Sequence, residues 1–301
     1  MEETVRTAYL DYGGWIRRHF PFRVQKIAVD AGFSCPNRDG RVGTGGCTFC
    51  DNRTFNPAYC NPARTITQQL EDGKAFFARK YPDMRYLAYF QAYSGTYAPV
   101  DVLRRRYEEA LAVPGVVGLV VGTRPDCVDD ARLDLLAQLA RHTFVMVEYG
   151  IESANDDTLR RIHRGHDFAC SRRAVEATHA RGLLTGGHVI LGLPGEDARE
   201  SLRQAPLISA LPLDVLKLHQ LQIIRGTRMA ADYGRHPFHL YSVEEYLDLV
   251  VRYIALLRPT LALERFVSQS PPEMLIAPRW GLKNYQFVQL LQKRLAREAG
   301  R

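Results

Sequence analysis

The chain has 301 residues, is 46% hydrophobic and 24% charged, and carries 40 Lys and Arg against 33 Asp and Glu, a net charge of +7. That balance excludes a disordered or fibrous protein and allows one large α/β domain, or a domain with an extension. No apolar run approaches the ~20 residues of a membrane helix, and the acidic start at 1–6 lacks the apolar core of a signal peptide, so a cytoplasmic protein with no membrane partner is expected.

Strand-like and helix-like runs alternate along the chain. The first strand is expected at 24–29 and leads into a loop containing Cys35, Cys47 and Cys50. A helix at 66–81, with Thr65 as its N-cap, precedes a second strand at 85–91. A helix at 100–111, a strand at 116–121 and a helix near 130–141 follow. The fourth strand is read at 143–149, with helices around 156–163 and 168–181 after it. The fifth runs from His188 to 191, a helix covers 197–211, and the sixth strand covers 215–224.

Six β/α units with continuously apolar strands predict an α/β fold, a parallel sheet covered by helices. Right-handed crossovers curl it into a partial (β/α)6 barrel. Chemistry in such folds sits at the carboxyl ends of the strands, and the cysteine loop follows the first strand at that end. Residues 1–225 are read as the barrel core and 226–301 as a mainly helical C-terminal extension with helices at 244–257 and 285–298.

Six cysteines (Cys35, Cys47, Cys50, Cys60, Cys127 and Cys170) in a cytoplasmic chain point to metal, catalysis or packing rather than disulfides. Eleven residues separate Cys35 from Cys47, and two separate Cys47 from Cys50. A zinc site would take Cys60 as its fourth ligand, although only Cys47 and Cys50 form the close pair that structural zinc favours. A redox C-x-x-C lacks thioredoxin-like surroundings here. Three thiolates also suit an iron–sulfur cluster with one iron left open. Spacing alone leaves zinc and iron–sulfur equal. The run Gly43-Thr44-Gly45-Gly46 lacks the Gly-Lys-Ser/Thr ending of a phosphate loop.

Segments beyond the cysteines carry further information. Residues 29–40 and 45–50 are followed by Tyr-Phe-Gln-Ala-Tyr-Ser-Gly-Thr-Tyr-Ala-Pro at 89–99 and Gly-Thr-Arg-Pro-Asp at 122–126. Then come Glu-Tyr-Gly-Ile-Glu-Ser at 148–153, His-Arg-Gly-His at 163–166, His-Val-Ile-Leu-Gly-Leu-Pro-Gly-Glu at 188–196 and Lys-Leu-His-Gln-Leu at 217–221. In this order they resemble radical S-adenosylmethionine (SAM) enzymes. The resemblance is greatest to bacterial proteins of about this length related to the catalytic subunit of Elongator and to oxygen-independent coproporphyrinogen oxidase. The gap before Cys47 is longer than in the common C-x3-C-x2-C pattern, as it is in Elongator-type relatives.

The resemblance implies a [4Fe–4S] cluster on Cys35, Cys47 and Cys50, with SAM chelating the open iron. Reductive cleavage of SAM would give a 5′-deoxyadenosyl radical that takes a hydrogen from the substrate. It further implies that Phe49 and Ile190 meet the adenine, and that Ala92, Tyr93 and Ser94 meet the methionine amino group. Glu152 and His188 are expected at the ribose, and Arg164 at the carboxylate or ribose. Cys60 is expected to be free, with Cys127 and Cys170 as packing residues. His219 and Gln220 are expected on opposite faces of their strand. Trp280, Lys283, Asn284 and Tyr285 are read either as the substrate mouth or as a docking contact for the last helix.

By analogy with Elongator, the resemblance implies action on tRNA at C5 of the wobble uridine, with flavodoxin or ferredoxin as electron donor. The positive charge and the runs Arg104-Arg105-Arg106 and Arg160-Arg161 suit a polyanion, while a solvated helix face is the plainer reading of both runs. A chain ending near 300 leaves no room for an acetyltransferase domain, so remodelling of a side chain already on the uridine is expected. The alternatives are a radical SAM enzyme acting on a small metabolite and a zinc-binding interaction module.

Overall fold

The computed structural model describes residues 9–78 and 83–299. The acidic start and the end of the predicted 66–81 helix lie outside the described residues. The chain begins with α1 (Tyr12–Ile16), β1 (Val24–Val29), α2 (Ile66–Ala78), β2 (Arg85–Phe90), α3 (Val100–Leu111) and β3 (Val116–Thr123). It continues through α4 (Asp130–Ala140), β4 (Phe144–Glu152), α5 (Asp156–Arg161), α6 (Phe168–His179), β5 (Leu184–Leu191), α7 (Ala198–Ala210) and β6 (Val215–Gln220). The remainder is β7 (Ile223–Ile224), α8 (Arg228–Arg235), α9 (Val243–Ile254), β8 (Ala262–Arg265), β9 (Leu275–Ala277) and α10 (Asn284–Ala299).

All six predicted strands lie in one sheet of order β1-β2-β3-β4-β5-β6-β8, with every neighbouring pair parallel. This is the expected partial α/β barrel, with one strand more. The additional strand, β8, comes from within 226–301. The fifth strand starts at Leu184 rather than His188, because Gly186 and Gly187 weaken its sequence signal. The predicted 215–224 strand divides: β6 stops at Gln220, and β7 leaves the sheet to pair antiparallel with β9.

Alternation within the strands builds two apolar layers. On β2, Tyr86, Ala88 and Phe90 face the helices and join Leu70, Leu103 and Tyr107. Leu87 and Tyr89 face inward and join Val120, Met146, Val215, Ala262 and Trp15. Val24, Phe144, Leu184, Val215 and Ala262 each open a strand, so this inner cluster sits at the amino-terminal mouth of the half-barrel. The short helix α1 plugs that mouth. Asp11 caps it by accepting from Gly14 N at 2.8 Å, and Leu263 N donates to Leu10 O at 2.8 Å. Three of the helices over the outer face start on side-chain caps, Asp129, Asp167 and Asp197 before α4, α6 and α7. A full capping box of Ser242 and Glu245 starts α9. Among the described residues no helix is long and apolar enough to cross a membrane.

With α1 seated in this mouth, the carboxyl ends of the strands are the open side of the half-barrel among the described residues. The plug depends on one indole, since Trp15 is 6% exposed and packs on Phe144. Trp15→Ala is expected to cost about 3–5 kcal/mol of stability. Chemical denaturation followed by circular dichroism measures this, and a loss below about 1 kcal/mol would show the plug to be dispensable.

Candidate active site

A cavity of about 690 Å³ runs from the half-barrel interior to the carboxyl ends of the strands. Cys35, Cys47 and Cys50 line it, as do Phe49, Tyr93, Glu152, Arg164, His188 and Ile190. Ala92 and Ser94 are buried and do not line it; only Tyr93 between them does.

Backbone hydrogen bonds fold the long cysteine gap back on itself. Cys35 O accepts from Arg38 N at 2.8 Å, Pro36 O from Val42 N at 2.8 Å and Asn37 O from Gly46 N at 2.7 Å. Gly45 and Gly46 take φ values of +79° and +82°, which their lack of a Cβ permits. Thr48 N donates to Ile162 O at 3.0 Å, tying the loop to the end of α5.

The Cys47 sulfur lies among N–H donors. Arg164 Nη1 is 3.4 Å away, Asn37 Nδ2 3.5 Å and Arg124 Nη1 3.8 Å. Both arginines are buried. Arg124 forks onto Asp126 with two bonds of 2.8 Å and donates to Arg164 O at 2.7 Å. Burial alone would raise the Asp126 carboxyl, but the Arg124 guanidinium holds it below its usual range. Arg164 donates to Gly150 O and lies 3.6 Å from Glu152. Its buried Nε has no partner among the described residues. A Cβ at Gly150 would lie 2.4 Å from Glu152 Oε1 and 2.8 Å from Arg164 Nη2, so a side chain there would push both termini aside.

Three described residues other than glycine adopt positive φ: Tyr93 at 54°, Glu152 at 69° and His163 at 53°. Each such conformation costs about 1–3 kcal/mol, and such residues concentrate at functional sites. Two of the three were marked from sequence, and the third directly precedes Arg164.

Deeper in the cavity lies a charge network centred on Glu148. Glu148 accepts from Lys26 Nζ at 2.7 Å, Lys217 Nζ at 2.7 Å, Tyr89 OH at 2.6 Å and, through His188 Nε2, at 3.0 Å. Glu264 takes Lys26 at 2.7 Å and Lys217 at 3.4 Å. Gly122 and Gly186 flank Glu148 in register on β3 and β5, and Gly186 makes room for its side chain. A Cβ at Gly186 would come within 2.8 Å of Glu148 Cγ. Burial works to raise the Glu148 carboxyl; Lys217 and Lys26, followed by His188, outweigh it and hold the group well below its ordinary range. The sequence did hold a signal. Each of these residues interrupts an otherwise apolar buried strand, where an ionised side chain needs a partner.

His219 and Gln220 both line the cavity, against the expectation of opposite faces, because β6 ends there and alternation no longer applies. His219 Nδ1 meets Ser268 Oγ, and Gln220 grips the Ser268 backbone with bonds of 2.7 and 3.1 Å. Cys60 is buried without lining the cavity, and burial with nearby Asp30 pushes its thiol up to about 12. Cys127 is buried and Cys170 half-buried. Of the C-terminal cluster, Trp280 donates to Tyr241 O at 3.1 Å and stacks obliquely on Tyr246, whereas Tyr285 is exposed. Asn284 alone both docks α10 and lines the cavity.

The donor set fits an iron–sulfur cluster. Three free thiols face one cavity, and one of them already receives N–H donors of the kind that stabilise cluster sulfurs. Among the described residues no three His, Cys, Asp or Glu side chains converge on a single metal ion. A cubane accommodates a spread set, because each cysteine takes a different iron.

The lowered Glu148 carboxyl sets a pH dependence. Its stabilising contribution is complete above the ordinary carboxylate pKa and disappears as the pH falls through the lowered value. Glu148→Gln is expected to flatten the acid side of the stability–pH curve. It is also expected to cost about 3 kcal/mol at pH 7, because it leaves two buried lysines to share the single carboxylate of Glu264. Thermal unfolding between neutral and acid pH checks both effects, and parallel curves for the two proteins would refute the assignment.

Comparison with known proteins gives this geometry a family. The Radical SAM superfamily matches residues 38–203, and the Radical_SAM C-terminal domain matches residues 213–297. Protein YhcC of Escherichia coli K12 is 40% identical over 270 residues, covering 89% of this chain and 86% of that protein. The tRNA uridine(34) acetyltransferase of Methanocaldococcus infernus is 24% identical over 180 residues, which is 59% of this chain and 33% of that one. The solved structure of archaeal M. infernus Elp3 has a TM-score of 0.68 at 17% identity, over 93% of this chain and 64% of that one, a likeness of fold. With the cysteine loop at the end of β1 and family matches that continue into α10, the chain belongs to the radical SAM superfamily, and its cofactors are a [4Fe–4S] cluster and SAM.

Proposed function

We propose that this radical SAM enzyme acts on tRNA in the cytoplasm and remodels the side chain at C5 of the wobble uridine. The observation that carries the site reading is the convergence of Cys35, Cys47 and Cys50 on one cavity, with arginine N–H groups aimed at Cys47. The tRNA reading is supported by similarity to a tRNA uridine(34) acetyltransferase and by the net charge of +7. The arginine runs lend less. Arg104, Arg105 and Arg106 pair with Glu108, Asp101 and Glu109 on their own helix, and Arg160 pairs with Asp157.

In this reading Cys35, Cys47 and Cys50 hold the cluster and Cys60 stays outside the ligand set. Cluster and SAM, when bound, supply the reductive cleavage that generates a 5′-deoxyadenosyl radical. The side chains of this chain position the reactants. Arg124 and Arg164 donate toward the Cys47 sulfur and offset thiolate charge. Phe49 and Ile190, which share one apolar cluster, offer their faces to the adenine. Tyr93, with Ala92 and Ser94 beside it, presents irregular backbone to the methionine amino group. Glu152 hydrogen-bonds the ribose, Arg164 meets the carboxylate or ribose, and His188, steadied by Glu148, reaches the ribose from β5. Reduction calls for a one-electron donor such as flavodoxin or ferredoxin.

Cys35→Ala, Cys47→Ala and Cys50→Ala are each expected to abolish cluster absorbance and 5′-deoxyadenosine formation after anaerobic reconstitution, while Cys60→Ala retains both. Loss of either signal in Cys60→Ala would overturn the ligand set. Mass spectrometry of tRNA nucleosides from cells with and without the gene is expected to differ at a wobble-uridine derivative. Identical nucleosides would sink the tRNA reading.

A further inference from the structure

Most of the ionised groups at the deep end of the cavity are matched. Lys26 and Lys217 are shared between Glu148 and Glu264 at 2.7–3.4 Å. Arg265, which follows Glu264 on β8 and pairs in register with Lys217, is not matched. It lines the cavity and is exposed. Among the described residues its guanidinium has no hydrogen bond or ion pair. Lys217, His219 and Tyr89 are buried within reach of its charge, so the guanidinium stands at the cavity wall beside the network. The other cavity arginines are engaged: Arg124 with Asp126, Arg164 with Glu152, and Arg38 with Cys50 O. Three cations therefore face two carboxylates at this end, and the surplus charge sits on a side chain with a free planar fork.

The wall beside Arg265 is fixed and polar. Gln220 holds the Ser268 backbone, and Ser270 Oγ donates to Gln222 Oε1 at 2.7 Å. Gln220, Gln222, Ser268, Gln269 and Ser270 all line the cavity. An unpaired guanidinium on a rigid hydrogen-bonding wall is built to receive an oxyanion, which it grips with two parallel N–H bonds.

We propose that Arg265 anchors an anionic oxygen of the RNA substrate, either a carboxylate borne by the reacting base or a backbone phosphate. This inference rests on the tRNA reading and names what that substrate must carry into the cavity.

The test uses Arg265→Ala and Arg265→Lys with two probes, bulk tRNA from cells lacking the gene and an unmodified tRNA transcript. Both variants are expected to keep wild-type SAM affinity. On bulk tRNA, kcat/KM is expected to fall about ten- to hundredfold in Arg265→Ala, the loss that follows from removing charge-assisted hydrogen bonds. Arg265→Lys recovers part of it, because an ammonium lacks the fork. If the anion is a phosphate, the slope of log affinity against log salt falls by about 0.7–0.9 in Arg265→Ala, equally for both probes. If it is a carboxylate on the base, the slope is unchanged; wild type prefers bulk tRNA over the transcript, and Arg265→Ala loses that preference.

Variants that match wild type in tRNA affinity, salt slope and kcat/KM overturn the inference. So does a folded variant with lost SAM affinity, which makes Arg265 a cofactor contact. Circular dichroism establishes folding, and Arg265→Lys carries the test if the alanine variant does not fold. Wild-type protein that binds no tRNA at low salt sinks the tRNA reading, and the inference with it. Wild-type protein that binds while the variants match it sinks the inference alone.

Discussion

One buried carboxylate ties the interior of the half-barrel together. Glu148 on β4 accepts hydrogen bonds from groups on β1, β2, β5 and β6. A curled seven-stranded sheet leaves its outer strands unpaired with each other, and Lys26 reaches from β1 to Glu264 on β8 across that gap. Burying ions costs several kcal/mol apiece, and well-packed apolar side chains of the same volume often stabilise a fold at least as well. Stability is therefore a weak reason for the network to exist. Its geometric consequence is stronger. Few arrangements satisfy every donor and acceptor drawn from so many strands at once, so the network fixes how the sheet curls and where its cavity opens.

That fixed frame allows strain at the rim. Tyr93, Glu152 and His163 hold left-handed backbone that ordinary side chains avoid. At β4 the register shifts between Gly150 and Glu152, which turns the strand end toward Arg164. Such conformations persist only where the surroundings overdetermine them. Here the surroundings are two apolar layers below and the folded cysteine loop above.

The fold was legible where each strand announces itself, and less so elsewhere. β1 to β4 are mainly apolar runs, broken in β1 and β4 by residues of the charge network, and the aspartates before α4, α6 and α7 mark helix starts plainly. β8 has four residues and becomes a strand only by pairing with β6, which no local pattern foretells. In the site, the residues named from motifs line the cavity apart from Ala92 and Ser94, and Arg124 stands in the motif Gly-Thr-Arg-Pro-Asp without a role of its own. The network was missed for a different reason. Lys26 and Glu264 are 238 residues apart, and periodicity within a strand says nothing about contacts across a barrel. Arg164, expected at the SAM carboxylate or ribose, follows exposed arginines in sequence, but its neighbours in space are a thiol and a carboxylate.

The two sides of the cavity divide the labour unevenly. The side proposed to hold the cofactors is built from the β1 loop and the ends of β2 to β5. The facing wall comes from β6, β8 and the chain after it, and much of its order is imposed from outside the sheet. Asn284, at the start of α10, accepts from Phe266 N at 3.0 Å and Val267 N at 3.4 Å. Those two residues directly follow Arg265, and Gln220 then takes hold of Ser268. The segment carrying the unpaired guanidinium is thus clamped on one side by the last helix and on the other by the last cavity-facing strand end. A wall held this way can exchange its exposed side chains without disturbing the cysteine loop. Under this reading, changes in substrate within the family would appear there first, in residues 265–270, while the chemistry opposite stays fixed.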